Sequence, residues 1–287
     1  MPCINCQTKM EPYFLKKIWQ IVRCPKCKLM AVENMPADLS PYYSEGYFTG
    51  DVTLDGYIDY DLDKEVSRKT YLEFLDIIEK YLNRKDAISL FEVGCATGFF
   101  MDLARQRGWQ TEGIDISEYA IKKAKEKGLV ASAAILENYQ TDKKFDVVVA
   151  QDVIEHVKDP IDMIIRSKSL LNENGLLLIT TPDAGSLWAK VWNKHWHAFV
   201  PPQHLFYFSA KNLAPILEKN GFQVFFPAHS GKWFAVPYII RLLYSWTGLK
   251  VFSKLAEWAA KSSLKNFAIP INVGDTLVLV ARKTGHS

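Results

Sequence analysis

The chain has 287 residues, of which 48% are hydrophobic and 13% aromatic. This composition excludes a disordered or low-complexity protein and can supply the core of one α/β domain with an appendage. The net charge of +3 argues against a protein that binds mainly through nucleic-acid phosphates. The sequence shows no signal-peptide pattern and no uninterrupted apolar run of membrane-spanning length, so we expect a cytoplasmic protein.

Four of the five cysteines lie in the first 27 residues as two Cys-x2-Cys pairs. They are Cys3, Cys6, Cys24 and Cys27. Each pair can place two thiolates on one side of a tight turn, so the two pairs together supply the four sulfur ligands of a tetrahedral zinc site. Two disulfides and rubredoxin-type iron are the alternatives that the spacing leaves open. We interpret residues 1–32 as a small zinc ribbon that needs its metal to fold.

Residues 33–66 are rich in Pro, Tyr, Gly, Ser and Asp, and we expect an extended, aromatic-rich linker that packs on the main domain. Apolar positions at helical spacing then predict a helix over residues 66–82. From residue 87 onward, short apolar runs alternate with helix-like segments, several of which end at glycine. The predicted strands are 88–93, 110–114, 130–134, 145–150, 176–180, 222–226 and 276–281, and the predicted helices are 99–107, 118–127, 161–171 and 209–220. This alternation predicts a Rossmann-like α/β fold over residues 67–287, a seven-stranded, mostly parallel sheet with helices on both faces.

The first of these strands runs into a turn with two glycines four residues apart and then into a helix. This turn, Glu92-Val-Gly94-Cys-Ala96-Thr-Gly98, lets a ligand approach the backbone at the helix N-terminus. The third glycine of the dinucleotide-binding fingerprint is missing, because position 96 is alanine. The second strand ends at Asp115, whose carboxylate can accept hydrogen bonds from both hydroxyls of a ribose. The ordered set therefore indicates a ribose-containing ligand.

Together with residues 145–160, these motifs closely resemble the class I S-adenosylmethionine (AdoMet)-dependent methyltransferases. Residues 145–160 read Phe-Asp-Val-Val-Val-Ala-Gln-Asp-Val-Ile-Glu-His-Val-Lys-Asp-Pro and are similar to the branch that contains the quinone-biosynthesis O-methyltransferases. A zinc ribbon ahead of such a domain resembles the deoxysugar C-methyltransferases of antibiotic and surface-glycan pathways. The resemblance implies methyl transfer from AdoMet to a small-molecule acceptor: a sugar, a glycan precursor, or a quinone- or phenol-like compound.

The resemblance also implies roles for residues at the matching positions. Gly94, Ala96 and Gly98 would line the methionine portion of AdoMet, and Glu92 would brace their loop. Asp115 would hold the ribose. The other implied cofactor contacts are Ile116, Ile135 and Leu136 beside the adenine, and Gln151 and Val153 on the sulfonium side.

Methyl transfer to a protonated acceptor atom needs a base, and histidine is the natural choice near neutral pH. We rank His204 first, followed by His197 and His156, because all three follow predicted strands at the carboxyl edge of the sheet. Aromatic residues near them suggest an apolar acceptor wall or, equally, ordinary packing of the loop. These aromatic residues are Trp196, Phe199, Phe206 and Tyr207.

The stretch at about 230–270 is longer than the plain fold requires and combines aromatic and aliphatic residues with basic ones. We predict a helical insert that closes over the acceptor site, with peripheral contact to an anionic membrane as the alternative.

Two further functions stay open. One is a zinc-ribbon RNA-base methyltransferase, and the other is a non-catalytic docking protein that binds AdoMet and zinc. We do not expect nucleic acid as the partner. The reason is that residues 151–154, Gln-Asp-Val-Ile, differ from the Asn-Pro-Pro-Tyr type of motif that exocyclic base amines require.

Overall fold

The computed structural model describes residues 1–36, 60–266 and 268–285. In these residues the strands are β1 (Glu11–Lys16), β2 (Trp19–Arg23), β3 (Met30–Val32), β4 (Ser89–Val93), β5 (Gln110–Asp115), β6 (Val130–Ala133), β7 (Phe145–Gln151), β8 (Leu171–Pro182), β9 (Phe206–Tyr207), β10 (Phe222–Ala235) and β11 (Ala268–Lys283). The helices are α1 (Tyr60–Val66), α2 (Arg68–Leu82), α3 (Phe99–Gln106), α4 (Glu118–Glu126), α5 (Pro160–Leu170), α6 (Leu187–Trp192), α7 (Ala210–Lys219), α8 (Val236–Thr247) and α9 (Lys250–Lys261). Two short 3-10 turns cover Asn193–His195 and Ser263–Asn266.

The main sheet has seven strands in the order β10-β11-β8-β7-β4-β5-β6. The five strands from β8 to β6 pair in parallel, and β11 runs antiparallel to both β8 and β10. Only β11 therefore opposes the common strand direction, which confirms the predicted Rossmann-like, mostly parallel sheet. From β4, the chain adds β5 and β6 on one side of the sheet and then crosses to the other side of β4, where it adds β7 and β8. The carboxyl ends of β4 and β7 thus flank the switch point at which such sheets bind ligands.

The central strands are buried on both faces. Consecutive residues of β8 belong to opposite cores: Leu177 and Ile179 lie in one buried cluster, and Leu176 and Leu178 in the other. Side chains alternate between the two faces of a strand, so a strand covered by helices on both sides needs a continuous apolar run. This explains why β7 and β8 are recognisable in the sequence.

The N-terminal sheet joins the ribbon to the main domain. Its order is β1-β2-β3-β9, so the fourth strand comes from the main domain. Met30 pairs with Tyr207 and Ala31 with Phe206, and the Val32 N–H donates to the Leu205 carbonyl at 2.9 Å. The ribbon is therefore attached by backbone hydrogen bonds as well as by apolar packing.

Two segments differ from the predicted organisation. Residues 60–66 form helix α1 rather than extended linker, while residues 37–59 of the predicted linker lie outside the described residues. The predicted insert at about 230–270 does contain helices α8 and α9, but strand pairing continues into it as far as Ala235 opposite Ala268. A long hairpin satisfies the backbone groups at both ends of the insert, so the helices begin later than composition suggested. Among the described residues, no helix is long and apolar enough to cross a membrane.

Candidate functional site

The turn between β4 and α3 has a positive φ angle at three positions. Gly94 and Gly98 have φ angles of +71° and +78°, and Ala96 adopts +46°. A Cβ atom on Gly94 would lie 2.5 Å from Cγ2 of Val153, and one on Gly98 would lie 2.3 Å from Cδ1 of Leu129. A side chain at either glycine would therefore displace a neighbouring side chain in addition to the strain of positive φ, and the turn leads directly into the N-terminus of α3, where a ligand can approach the backbone amides.

Asp115, the last residue of β5, connects this glycine turn to helix α4. Its Oδ2 accepts a hydrogen bond from the Ala96 N–H and its Oδ1 accepts one from the Ser117 N–H, both at 2.8 Å. Burial raises the pKa of Asp115, and the bonds from Ser117 and Ala96 oppose that rise. Each carboxylate oxygen keeps a second lone pair, so the group can still accept from two ribose hydroxyls.

A buried pair of polar side chains lies behind the turn. The Gln151 amide donates from Nε2 to Oε1 of Glu92 at 3.2 Å. Oε2 of Glu92 and Oε1 of Gln151 are buried and have no hydrogen-bond partner among the described residues. Burial raises the pKa of Glu92 well above its ordinary value, against the smaller effects of Gln151 and the Lys64 charge. Two buried acceptors without donors fit a ligand that carries an ammonium group, as the methionine portion of AdoMet does.

Exposed aliphatic side chains flank the same end of the sheet. Ile116 and Ile135 are 42% and 41% exposed, whereas Leu136 is buried. The Ala134 N–H donates to the Asp115 carbonyl at 3.0 Å, which ties this segment to the end of β5. Two exposed aliphatic side chains next to Asp115 in the chain and in this backbone contact offer apolar surface to a flat ring, so the surroundings of Asp115 fit an adenosine.

Helix α1 contributes Asp61, which sequence reasoning missed, and Tyr60, which its position ahead of the domain suggests as a cofactor contact. Asp61 accepts a hydrogen bond from the Thr97 hydroxyl, and Nζ of Lys127 lies 2.8 Å from the same carboxyl group. Lys127 also donates to the Thr97 carbonyl at 3.0 Å, and Tyr60 packs against the buried pair Ala96 and Ala120. These contacts hold α1 over the glycine turn. No motif marks Asp61, because its role depends on a contact with a residue 36 positions away.

The four N-terminal cysteines converge as their spacing predicted. The Sγ atoms of Cys3 and Cys27 are 3.4 Å apart, as are those of Cys6 and Cys24, and all four lie within 4.8 Å of one another. These distances exclude S–S bonds of about 2.05 Å and approach the roughly 3.8 Å between thiolates around tetrahedral zinc. Burial raises the pKa of the Cys3 thiol to about 12, so a cation is needed to hold it as a thiolate. The donor set therefore fits zinc.

Two of the predicted bases, His156 and His204, form a pair. Their rings meet edge to face with centroids 4.6 Å apart. Nδ1 of His156 lies 2.8 Å from the Gln203 carbonyl, and Nδ1 of His204 lies 2.8 Å from the Ala198 carbonyl. Since a carbonyl only accepts, each Nδ1 carries the proton. Burial lowers the pKa of His156, which therefore favours the neutral imidazole.

The third predicted base, His197, has a carboxylate as its neighbour. Nε2 of His197 is 3.5 Å from the Asp275 carboxylate, to which the Trp196 indole N–H donates at 3.0 Å. Trp196, Phe199, Phe206 and Tyr207 are each at most 4% exposed. Phe14 of the ribbon packs edge-on against Phe199 at 4.9 Å. The packing alternative is therefore correct for these four aromatic residues, because they form the seam with the ribbon and do not face an open site.

Known proteins resemble the chain over most of this region. A family model described as a methyltransferase domain matches residues 64–225, more than half of the chain. Over 172 residues the chain is 26% identical to a ubiquinone biosynthesis O-methyltransferase of Bradyrhizobium diazoefficiens, covering 53% of this chain and 67% of that protein. It is 27% identical over 116 residues to a protein of the same name from Leptothrix cholodnii, covering 37% of this chain and 49% of that protein. The chain therefore spans about half to two thirds of the length of these relatives.

Solved structures share the fold at low sequence identity. A magnesium protoporphyrin IX methyltransferase from Synechocystis with bound AdoMet matches with a TM-score of 0.53 and 15% identity, over 88% of this chain and 100% of that one. A SAM-dependent methyltransferase from Thermotoga maritima matches with a TM-score of 0.51 and 20% identity, over 78% of this chain and 95% of that one. At these identities the likeness concerns the fold.

Proposed function

Since this chain belongs to the methyltransferase domain family and is an AdoMet-dependent methyltransferase, we propose that it methylates a small molecule held above the carboxyl ends of β7 and β8. The observation that carries the proposal is the glycine turn, which stands next to the Asp115 carboxylate. When bound there, AdoMet supplies an electrophilic methyl group on a sulfonium. Family membership also favours an enzyme over the non-catalytic docking alternative.

The cofactor contacts follow from the geometry of the turn. Gly94 and Gly98 receive the methionine portion, and the unpartnered Oε2 of Glu92 accepts from its ammonium group. Asp115 accepts from the ribose hydroxyls, and Ile116 and Ile135 flank the adenine. Oε2 of Glu92 has no hydrogen-bond partner among the described residues, and the side chains of Ile116 and Ile135 are exposed, which supports these contacts.

For the acceptor, we propose a phenol- or quinone-like compound, with a sugar or glycan precursor as the second candidate. The name shared by the curated relatives, ubiquinone biosynthesis O-methyltransferase, supports the first. The four-cysteine ribbon supports the second, because it resembles the ribbon of the deoxysugar C-methyltransferases. Compounds of both classes contain a hydroxyl group or an acidic carbon that can accept a methyl group.

We also propose that Cys3, Cys6, Cys24 and Cys27 bind one zinc ion with a structural role. The four thiol groups complete a tetrahedral shell, which leaves no open position for a substrate. The metal would instead stabilise the ribbon, whose strand β3 pairs with β9 next to the loop that carries His204. In this proposal, zinc stabilises the acceptor side of the enzyme indirectly, through the pairing of β3 with β9.

The insert offers a surface that suits an anionic membrane. On α9, Val251 and Trp258 are 63% and 59% exposed, and Leu255, which is 41% exposed, lies between them on one helical face. Lys250, Lys254 and Lys261 lie along one side of this apolar row. An apolar row beside basic residues is the pattern of a helix that lies in an anionic lipid interface. We propose that α9 makes this contact, which would bring the enzyme near a lipid-soluble acceptor.

Binding and transfer assays test the proposal together. Calorimetry should detect AdoMet and S-adenosylhomocysteine at about micromolar affinity, and the melting temperature should rise with ligand concentration. Label from methyl-labelled AdoMet should appear in catechol, a simple phenol or a nucleotide sugar, and not in transfer RNA. Absence of AdoMet binding, or transfer to RNA alone with a steep salt dependence, would contradict it.

A further inference from the structure

A carboxylate–imidazole pair lies beside the acceptor region and includes none of the residues predicted from the sequence. Asp183 directly follows β8, and its Oδ2 lies 2.7 Å from Nε2 of His229 on β10. The Asp183 side chain is 6% exposed, whereas that of His229 is 42% exposed. The pair thus combines a buried carboxylate with an imidazole that a small molecule can reach.

The pair lies on the ribbon-facing side of the sheet. His229 is the cross-strand partner of Leu277, and cross-strand partners share a face. Leu277 belongs to the buried cluster that includes Leu205, next to the loop of the other histidines. The Asp183 N–H donates to the Asp275 carbonyl at 2.7 Å, which fixes the end of β8 against β11.

The pair lies at the same end of the sheet as the methyl-donor side of the proposed cofactor site, and β10, which carries His229, is three strands along from β7. Gln151, on the sulfonium side of the proposed cofactor site, pairs with Thr180 in the parallel register of β7 and β8. Asp183 follows Thr180 by three residues, which corresponds to about 10 Å along the strand direction. It therefore projects past the carboxyl edge of the sheet, where acceptors of such folds bind.

The hydrogen bonds define which nitrogen of His229 can take a proton. Oδ1 of Asp183 accepts from the Gly185 N–H at 2.7 Å, and Oδ2 accepts from Nε2 of His229. A carboxylate only accepts, so Nε2 carries the hydrogen and Nδ1 keeps its lone pair. Among the described residues, Nδ1 of His229 has no hydrogen-bond partner. A buried acid that fixes the tautomer of an accessible imidazole is the arrangement of an activated base.

The histidines predicted from the sequence fit this role less well. His156 and His204 each bond through Nδ1 to a backbone carbonyl, and their rings pack against each other. The His156 side chain is 17% exposed. His197 faces the Asp275 carboxylate at 3.5 Å, which is longer than a good hydrogen bond. These contacts assign His156 and His204 to the support of the acceptor loop.

We propose that His229, held by Asp183, is the base that takes a proton from a hydroxyl group of the acceptor. The proposal rests on the proposed methyl transfer and names its acceptor atom, an oxygen. The hydroxyl oxygen forms a bond to the methyl carbon, the methyl–sulfur bond breaks with its electron pair going to sulfur, and the hydroxyl proton moves to Nδ1 of His229. An acceptor that is already a carboxylate or a thiolate needs no such base, so the pair indicates a phenolic or alcoholic hydroxyl.

Two variants separate the base from its support. His229→Gln should lower kcat with catechol, a simple phenol or a nucleotide sugar by about 10²- to 10⁴-fold, the usual effect of losing a general base. Asp183→Asn should cause a loss of similar size, because the Asn amide N–H would face Nε2 and move the ring hydrogen to Nδ1. Acceptor KM and AdoMet Kd should stay within about twofold in both, since neither residue belongs to the proposed cofactor site. The matched control is His195→Gln, an exposed histidine in the turn after α6.

A spectroscopic measurement tests the pair without an acceptor. Long-range ¹H–¹⁵N spectra should show the Nε2–H tautomer of His229 in the wild type and the Nδ1–H tautomer in Asp183→Asn. An unchanged tautomer in that variant overturns the role of Asp183. Loss of thermal stability with a raised KM and normal kcat in His229→Gln would show a structural role instead.

The possible failures can be told apart. A wild-type enzyme that binds AdoMet but methylates none of the hydroxyl probes contradicts the proposed function, and this proposal falls with it. A wild-type enzyme that methylates a probe while His229→Gln keeps full turnover contradicts this proposal alone. Loss of turnover in His204→Gln, in the same assay, would then identify His204 as the base, as the sequence analysis ranked it.

Discussion

Met30 of the ribbon and Tyr207 of the main domain are direct strand partners across β3 and β9. The Tyr207 hydroxyl in turn donates to the His204 carbonyl at 3.0 Å, so one residue connects the ribbon to the loop that carries His204, on the proposed acceptor side. The proposed AdoMet turn follows β4, which belongs to the main sheet and not to the sheet that contains β3 and β9. A change that disrupts the ribbon should therefore weaken acceptor binding more than it weakens AdoMet binding.

Removal of one thiol tests this coupling. The wild type should bind about one zinc ion per chain. Cys24→Ala should lose this zinc, because the three remaining thiols no longer complete the tetrahedral shell. Acceptor KM should rise while AdoMet Kd stays unchanged. Metal analysis and calorimetry measure the two effects.

The control for this test is Lys26→Ala, an exposed change inside the same Cys-x2-Cys turn that leaves all four thiols in place. It should keep both the zinc and the acceptor KM. A wild-type protein without zinc, or a Cys24→Ala variant with lowered AdoMet affinity and normal acceptor KM, would contradict the expected coupling.

Replacement of Asp115 tests the ribose contact. Asp115→Ala should weaken AdoMet and S-adenosylhomocysteine equally, by about 10- to 100-fold, because the ribose is common to both and hydrogen bonds to a charged group contribute about 1.5–3 kcal/mol. Calorimetry with both ligands measures the effect. The exposed Asp142→Ala change should leave both affinities unchanged. Equal affinity in wild type and Asp115→Ala would remove Asp115 from the site.

Alanine substitutions at Gly94 and Gly108, which have similar φ angles, distinguish the effect of backbone strain from that of a steric clash. Gly94→Ala should cost about 2–4 kcal/mol of stability, since it adds a contact with Val153 to the strain of positive φ. Gly108→Ala should cost about 1 kcal/mol, because its φ is +82° but no atom lies within 4 Å of the added Cβ. Thermal or urea unfolding measures both. The double change Gly94→Ala/Val153→Ala should recover part of the loss; no recovery would mean that strain alone acts.

The pH dependence of stability reports on Glu92. Burial raises its pKa above the ordinary 4.5, so the stability that it contributes is fully present below that value and is lost as pH rises through the native pKa. Glu92→Gln should remove this loss, so unfolding free energies of wild type and variant should diverge with rising pH. Parallel curves would contradict the raised pKa.

The same residue should link AdoMet binding to proton release. An ammonium group beside Glu92 stabilises its carboxylate, so binding lowers the pKa and the protein gives up a proton. Calorimetry in buffers of different ionisation enthalpy should show this release in the wild type. Glu92→Gln should release fewer protons on AdoMet binding, because the carboxyl group is gone. If wild type and Glu92→Gln release the same number of protons, the contact between Glu92 and the ammonium group is excluded.

Vesicle binding tests the surface of α9. The wild type should sediment with vesicles that contain phosphatidylglycerol and not with pure phosphatidylcholine, because basic residues accompany the apolar row. Leu255→Ser/Trp258→Ser should lose most of this binding, and Ile165→Ser, which changes an equally exposed aliphatic residue on α5, should keep it. Equal sedimentation of all three proteins, or none at all, would contradict the proposal.

Much of the main domain could be predicted because its signals are local. The buried strand β4, the two glycines after it and the acid at the end of β5 are close in the sequence, and each meets a requirement of backbone geometry or burial. The extent of β10 and β11 could not be predicted in this way. Their outer halves are stabilised by pairing with each other, as at Ala235 and Ala268, so the information lies in the partner strand.

The sequence by itself determined the fold class, the cofactor turn and the convergence of the four cysteines, since short-range spacing sets strand burial, turn conformation and the geometry of a Cys-x2-Cys knuckle. Only the tertiary structure showed that Asp183 meets His229, 46 residues later, and that β3 pairs with β9. Neither contact leaves a local pattern, because a single hydrogen bond between distant residues constrains no periodicity. Folding therefore bears on which histidine we propose as the base, because it brings His229 within 2.7 Å of the Asp183 carboxylate.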